Sequence, residues 1–598
     1  MKIIKLLTFA LLSTLITSPA AAKAPDVSFV QAVSTGNEKA VKYYLKHKAS
    51  PTQTDTKGVP LLSLAAKQGY SSIMARLIKA GANVNATDKQ SFTPLMHAAM
   101  ANQPAAVSAL LKANADPNVR TTDAAGFTLA DQDALMLISY KGDYPEIARL
   151  LINGGANVNK PNKGGGTPLR TASWFGRNET VKLLLQAKAE VNVPEDSDTM
   201  PPLQVALLQD QLETAKILID AGADVNYTDK DGNSLLLWAV DNIFENADRT
   251  PFIALLTQKG VKVNHSNNIG ETALIRMSKW DVDAQNTLAL LDAGANVNAK
   301  TDANSGKQTP LSNAVKLGSM DLINVLLQAG ADVNANNHTA YTNPLLQAII
   351  DRREEVAQTL LLAGADPNTT TDKGVSALIL ASTYDLQDIA LTLLAAGADP
   401  NAADQQGHTA LIYAAGKGLT PIVKLLLAAG ANVNAVDKDN FNALMNASIG
   451  GYTDVVNLLL KAGAEKNRLK QDAWSALMLA SYYGHNDVVK ALLNARASVN
   501  LASKTDGWTA LMSAAANGNA DIIKQLLKAG AKVNARNKTG TDALMMAASL
   551  GHADAVKTLL KAGANVTYKD NNKNSALDYA KSNGNAELIS LLKKAGAK

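Results

Sequence analysis

The side chains in this 598-residue chain best suited to metal or proton chemistry are seven histidines and a scatter of carboxylates, with no cysteine anywhere. His47, His97, His265, His338, His408, His485 and His552 are dispersed, and no two lie at a spacing that pairs them on one local face as metal ligands. They are expected as surface side chains. The absence of cysteine excludes disulfides and thiolate metal sites, so stability must come from packing. "YTDKDGNSLLLW", from Tyr227, sets Asp229, Asp231 and Gly232 in the order of a calcium loop. Tyr227, however, stands where the first acidic ligand belongs and Trp238 where the bidentate Glu belongs, so the oxygen shell cannot close. A polar hairpin turn is the better reading. "KGGGTP", from Lys163, has the outline of a phosphate cradle, but its place in a recurring phrase makes it a turn. There is no H-E-x-x-H, G-x-S-x-G or G-x-x-x-x-G-K-[ST] motif. Asp131, Asp133 and Asp241 are the carboxylates that a loop-built enzyme would use. Their loops read as solvated, whereas catalytic carboxylates need a partly dry cleft. No catalytic residue, metal or cofactor is expected.

The elements that carry these residues repeat. Aligned on stretches like GANVN, the chain presents the same landmark seventeen times, from Lys48 and Gly81 to Gly563 and Gly596. Most intervals are 33 or 34 residues; the exceptions are 41 before Gly155, 38 before Gly260 and 36 before Gly330. Such a period means a stacked array. The longer intervals contain "GFTLADQDALML" from Gly126, "DNIFENADRTPF" from Asp241 and "KTDANSGKQTP" from Lys300, each read as an enlarged loop.

One unit, "GWTALMSAAANGNADIIKQLLKAGAKVNA" at 507–535, shows the local physics. Thr509 can cap a short helix with Leu511, Ala514 and Ala515 at helical spacing, ended by Asn517-Gly518. A second helix gathers Ile522, Ile523, Leu526 and Leu527 on one face, and Gly530 stops it with a left-handed residue. The stretch from Val533 to Gly540 is extended and turns back. Helices of about eight residues are unstable alone, so they must stack. Ala98, Ala414, Ala480 and Ala514 allow close approach, while pairs such as Leu426-Leu427 fill the space between layers.

The N-terminus has the pattern of a secretory signal peptide over 1–22. A basic start precedes an apolar run from Leu6 to Ile16, and Ala20 and Ala22 sit in A-x-A positions, with cleavage expected after Ala22. The run is too short to span a bilayer comfortably. The formal charge of +5 falls to +3 once Lys2 and Lys5 are removed, too mild for a nucleic-acid or membrane-surface binder. An exported chain without cysteine fits the periplasm of a Gram-negative bacterium, with secretion as the alternative.

"TPLMHAA" at 93–99, "GHTALIYAAGKG" at 407–418 and "LLLAAGANVNA" at 425–435 resemble the ankyrin-repeat pattern, and the resemblance extends over essentially all of 23–598. It implies an all-α repeat solenoid of ankyrin-type helix pairs with projecting β-hairpin loops, used to bind proteins and not known for chemistry of its own. The N-terminal cap is expected near 26–50, with Lys39 and Lys42 on it, and the C-terminal cap near 570–598, with Lys593, Lys594 and Lys598. The histidine of the family's T-P-L-H is replaced by Met96, Ile412, Met445, Met478, Met512 and Met545, expected as apolar packing rather than copper ligands.

In that architecture the residue between Gly and Thr is implied at the hairpin tip, and the residues before the mid-repeat Gly at the end of the first helix, both lining the concave side. The tip positions read His408, Phe441, Trp474 and Trp508; the helix ends include Tyr384, Ile449, Tyr482 and Tyr483. With only 5% of the chain aromatic, this gathering is expected to be a partner-binding stripe, against the alternative that each ring folds over its own loop. Trp174 and Phe175 form a smaller second candidate. The leading function is a non-catalytic periplasmic scaffold for a protein partner, as in exported ankyrin-type immunity proteins that neutralise delivered toxins. Alternatives are support of periplasmic oxidative-stress defence, a loop-built enzyme, or a spacer. A monomer is expected, without nucleic acid or stable membrane insertion.

Overall fold

A hydroxyl, carboxamide or carboxylate caps the first helix in most units, which is why short helices begin where they do. In a computed structural model that describes residues 24–122, 130–192, 199–241, 248–282, 284–335, 343–471 and 473–598, Thr93, Thr167, Ser376, Asn442, Ser475 and Thr509 each accept a hydrogen bond from the backbone N–H three residues on. Each cap satisfies an otherwise orphaned donor. The signal-peptide segment and His338 lie outside the described residues, as do parts of the enlarged loops after Thr122 and Asp241.

Among the described residues there are 34 helices, two before each of the seventeen landmarks. The first of each pair has five to eight residues and the second eight or nine. Lengths this short leave helix nucleation unrepaid without neighbours. Packing supplies the remainder: Ala98, Ala414, Ala480 and Ala514 are fully buried, and so is Leu426. Leu427 is half-buried. Met96, Ile412, Met445, Met478, Met512 and Met545 are all buried, so the methionine series is core.

Hairpins link successive pairs, and antiparallel bridges such as Ala502 with Thr509 and Arg536 with Asp542 close them. The chain divides into two compact bodies, one to Asn268 with Asp292–Gly294, the other Ile269–Leu291 with Ala295–Lys598. In both, an asparagine near the end of most GANVN-like stretches clips the next unit. In the first, Asn118 Nδ2 donates to the Gly155 carbonyl (3.0 Å) and its Oδ1 accepts from the Asn157 N–H (2.7 Å). In the second, Asn500 does the same with Gly530 (2.9 Å) and Lys532 (2.8 Å). Backbone bonds between hairpins add to this, as from Lys538 N–H to the Asp506 carbonyl (2.8 Å). Lys39, Lys42, Lys593 and Lys594 on the terminal helix pairs face solvent.

The landmark is left-handed whether or not it is glycine: φ is +90° at Gly463 and Gly530, and +62° at Arg496. A Cβ at Gly463 or Gly530 would meet nothing within 4 Å, so the penalty there is purely one of backbone conformation. Arg496→Gly is therefore expected to stabilise its unit by about 0.5–1 kcal/mol. Hydrogen exchange across Asn486–Asn494 reads it, and unchanged or faster exchange would contradict the strain.

Candidate functional site

The candidate residues sit on two local frames. The first is the hairpin, where an Asx or Ser/Thr side chain gathers the turn amides. Asp404 Oδ1 accepts from the N–H groups of Gln406 (2.8 Å) and His408 (2.9 Å), and Asp437 Oδ1 from those of Asp439 and Phe441 (both 2.8 Å). This places His408, Phe441, Trp474 and Trp508 on the returning arm of the hairpin, not at its outermost point. Their carbonyls accept from Asp404, Asp437, Lys470 and Ser503 respectively. The second frame is the end of the first helix, which carries Tyr384, Ile449, Tyr482 and Tyr483.

The sequence-predicted residues fall into two groups. Tyr384, Phe441, Ile449, Trp474 and Trp508 are half-buried and packed against the core, whereas Tyr482 and Tyr483 are 41% and 50% exposed. The Trp474 ring meets Trp508 of the next unit at 5.6 Å between centroids and Tyr482 edge-on at 5.4 Å. Tyr482 meets Tyr483 edge-on at 5.4 Å, and Tyr483 stacks towards His485 at 6.4 Å. These are favourable quadrupole geometries, and they join rings from two units into one surface.

The remaining four candidates have other partners. Phe441 lies under Lys470, whose Nζ is 4.0 Å from the ring centroid, and Arg352 lies 5.4 Å from the Tyr384 ring. Ile449 contributes its carbonyl to His485 Nε2 (2.8 Å). His408 lies between two carboxylates, with Nδ1 3.3 Å from Asp404 and Nε2 3.4 Å from Asp437.

A recurring tether was not anticipated. Asp88, Asp229, Asp404 and Asp570 each receive a donor from the residue nine positions on: His97 (2.9 Å), Trp238 Nε1 (3.0 Å), Tyr413 (3.0 Å) and Tyr579 (2.5 Å). Imidazole, indole and phenol thus perform one task, fastening the hairpin to the helix after it. The repeated nine-residue interval was the available signal. At Asp404, burial works to raise the pKa, but the turn amides and the Tyr413 hydroxyl outweigh it and hold the carboxyl below its ordinary range. Burial, and the bond to Asp404, push the Tyr413 phenol up to about 12. Burial also pulls the His97 imidazole below its usual value, against Asp88.

The histidines are accordingly not a merely solvated set: His265, His485 and His552 each bond a carbonyl of the preceding unit through Nε2 (2.8, 2.8 and 3.1 Å). Among the described residues no group of three or more histidines and carboxylates is placed to hold a metal ion. The calcium-like stretch is a hairpin in which Asp229 is occupied by amides and the Trp238 indole. Asp133 is buried, caps the helix Ala134–Lys141 and lies 3.3 Å from Arg120. Burial pushes its carboxyl up, and its position is that of a structural cap. No helix among the described residues is long and apolar enough to cross a membrane.

Family-level comparison agrees with this architecture. Residues 29–121, 123–195, 286–371, 311–404, 378–470, 444–537 and 514–598 match the family model for ankyrin repeats in three copies, and 200–230 matches the single ankyrin repeat. An ankyrin repeat-containing protein of Treponema pallidum (strain Nichols) is 35% identical over 133 residues, 22% of this chain and 42% of its own. Rabankyrin-5 of Homo sapiens is 29% identical over 199 residues, 31% of this chain and 16% of its own. The matched stretches span well under two thirds of these relatives. The crystal structure of the human ASB11 ankyrin repeat domain is 26% identical and covers 37% of this chain and 99% of that domain, with a TM-score of 0.35. Arrays of this kind are scaffolds for protein–protein interaction, their stacked units presenting an extended binding surface. With family matches over most of its length, the chain belongs to the ankyrin-repeat family.

Proposed function

We propose that this chain is an exported, non-catalytic scaffold that captures a protein partner on the aromatic surface around Trp474, Tyr482, Tyr483 and Trp508. The observation that carries the reading is the exposure of Tyr482 and Tyr483 beside two half-buried tryptophans from adjacent units. Rigid aromatic anchors seated on a packed base are the usual form of an interface hot spot, because little side-chain entropy is lost on binding. Phe441, His408, Tyr384 and Ile449 extend the surface to the preceding units, where Lys470, Asp404 and Asp437 add charge that orients the partner.

The compartment proposed is the periplasm, reached by the 1–22 signal and cleavage after Ala22, with the protein acting as a monomer. A delivered toxin is the proposed partner, neutralised by occlusion, which requires affinity but no catalysis. The Tyr482→Ala/Tyr483→Ala double variant is expected to weaken capture of a toxin encoded beside this gene by about 2 kcal/mol or more. Its melting should stay close to wild type, since neither ring lies in the core. Equal affinity of wild type and variant, measured by calorimetry, would sink the proposal. Fractionation that left the chain in the cytoplasm would overturn the periplasmic assignment separately.

A further inference from the structure

The register that carries buried Met96, Met136, Met445, Met478, Met512 and Met545 holds Arg170 in the unit that begins at Thr167. A guanidinium has replaced an apolar side chain, and its Nε is buried without a hydrogen-bond partner. Burial pulls its pKa down. Among the described residues no carboxylate pairs with it. Its neighbour Arg177, by contrast, donates Nε to the Ser139 carbonyl (2.8 Å) and lies over Phe175. A partly buried guanidinium with an unmatched Nε is costly to keep.

Arg170 opens onto a pocket of about 360 Å³ lined by Tyr140, Asn162, Gly166, Thr171, Trp174 and Phe175. Three walls are aromatic: Tyr140 and Trp174 are 36% and 39% exposed, and Tyr140 meets Phe175 at 4.9 Å between centroids. Asn162 Oδ1 is taken by the Gly164 (3.1 Å) and Gly166 (2.7 Å) amides, which leaves its Nδ2 as a donor. At Gly166 a Cβ would come within 3.1 Å of Asn162 and 3.4 Å of Arg170 Nη1, so the missing side chain keeps the space in front of the guanidinium open. The pocket therefore combines aromatic walls with a cation and neutral donors, and none of the described residues lining it is acidic. A second pocket is lined by Lys67 and by Lys141, the residue next to Tyr140, together with His97, which is bonded to Asp88.

We infer that this pocket binds a carboxylate carried on a flat apolar body, the carboxylate against Arg170 and the body between Tyr140, Trp174 and Phe175. A guanidinium suits a carboxylate because its parallel N–H groups can engage both oxygens, and the aromatic walls offer a flat apolar body a surface to stack on. The site lies apart in the sequence from the surface around Trp474 and does not depend on it.

The test titrates the full chain with phenylacetate and with its neutral analogue phenylacetamide, by ligand-observed NMR. Phenylacetate is expected to bind saturably, and phenylacetamide about tenfold more weakly or worse. Arg170→Met should lose at least about tenfold of the phenylacetate affinity while melting at or above wild type, because it restores the residue that other units bury at this register. Equal binding of acid and amide, unchanged binding by the Met variant, or no saturable binding would overturn the site. A short acetylated peptide with an internal Glu-Phe pair distinguishes the source. Tighter binding than phenylacetate assigns the carboxylate to a protein partner, weaker binding to a small molecule, and either supports the chemistry.

Discussion

Arg276→Met is expected to destabilise the unit containing the helix Ala273–Met277 by about 3 kcal/mol. Glu271 occupies the position between Gly and Thr that holds aromatic residues in later units, but here the side chain is a buried carboxylate. Arg276 grips it with Nη2 at 2.7 Å and Nε at 3.1 Å, and Lys279 Nζ lies at 2.6 Å. Removing the arginine takes a two-pronged grip from a buried carboxylate, whose bond to Lys279 comes from a side chain that is 46% exposed. The cost is dominated by the buried carboxylate being short of donors rather than by the lost attraction. A Glu271→Gln/Arg276→Met double variant should accordingly recover much of the loss. Hydrogen exchange across Gln285–Asp292 and the preceding helix reads both; equal destabilisation by the single and double variants would refute the argument.

The same cluster sets a pH dependence. Burial alone would raise the Glu271 pKa, but the bonds from Lys279 and Arg276 outweigh it, so the folded value lies below the ordinary 4.5. A depressed carboxylate stabilises the fold above the unfolded pKa and loses that contribution as pH falls through the folded value. In wild type the contribution should be intact at neutral pH and disappear only below 4.5. In Arg276→Met the contribution should be smaller and its loss complete at a higher pH, because the folded value moves up towards the unfolded one, which still sets where the loss begins.

The second large effect belongs to the indole pair. Trp474→Ala and Trp508→Ala are each expected to cost about 2 kcal/mol of local stability, less than a fully buried tryptophan because both rings are only half-covered. Their 5.6 Å contact predicts a coupling of about 0.5–1.5 kcal/mol in a double-mutant cycle. Strict additivity would mean that the rings do not act as one surface. These variants perturb stability together with any partner, whereas Tyr482 and Tyr483 report binding more cleanly because they stand outside the core.

Periodicity made most of the architecture legible from the residues. The seventeen landmarks, the helix caps, the alanine face and the apolar role of Met96 and its equivalents were all readable because each depends on neighbours within one unit or on a register repeated many times. The hairpin reading of the Asp229 stretch was legible for the same reason. Harder to read was where a ring points once its unit is stacked: Trp474, Trp508 and Tyr483 look equally apolar in sequence, yet the first two rest on the core and the third faces water. The histidines were misjudged as simply solvated because the carbonyls that receive His485 and His552 lie 36 residues earlier, in the preceding unit.

By itself, then, the order of residues determined the repeat, its short helices and the left-handed stop at each landmark, all of them consequences of local backbone conformation and spacing. Tertiary structure alone decided which indoles touch, how Asn118 and Asn500 clip the following unit, and that Arg170 would open onto an aromatic pocket. The physical reason is distance along the chain: such contacts join groups about one repeat apart, and their geometry exists only after neighbouring units have packed.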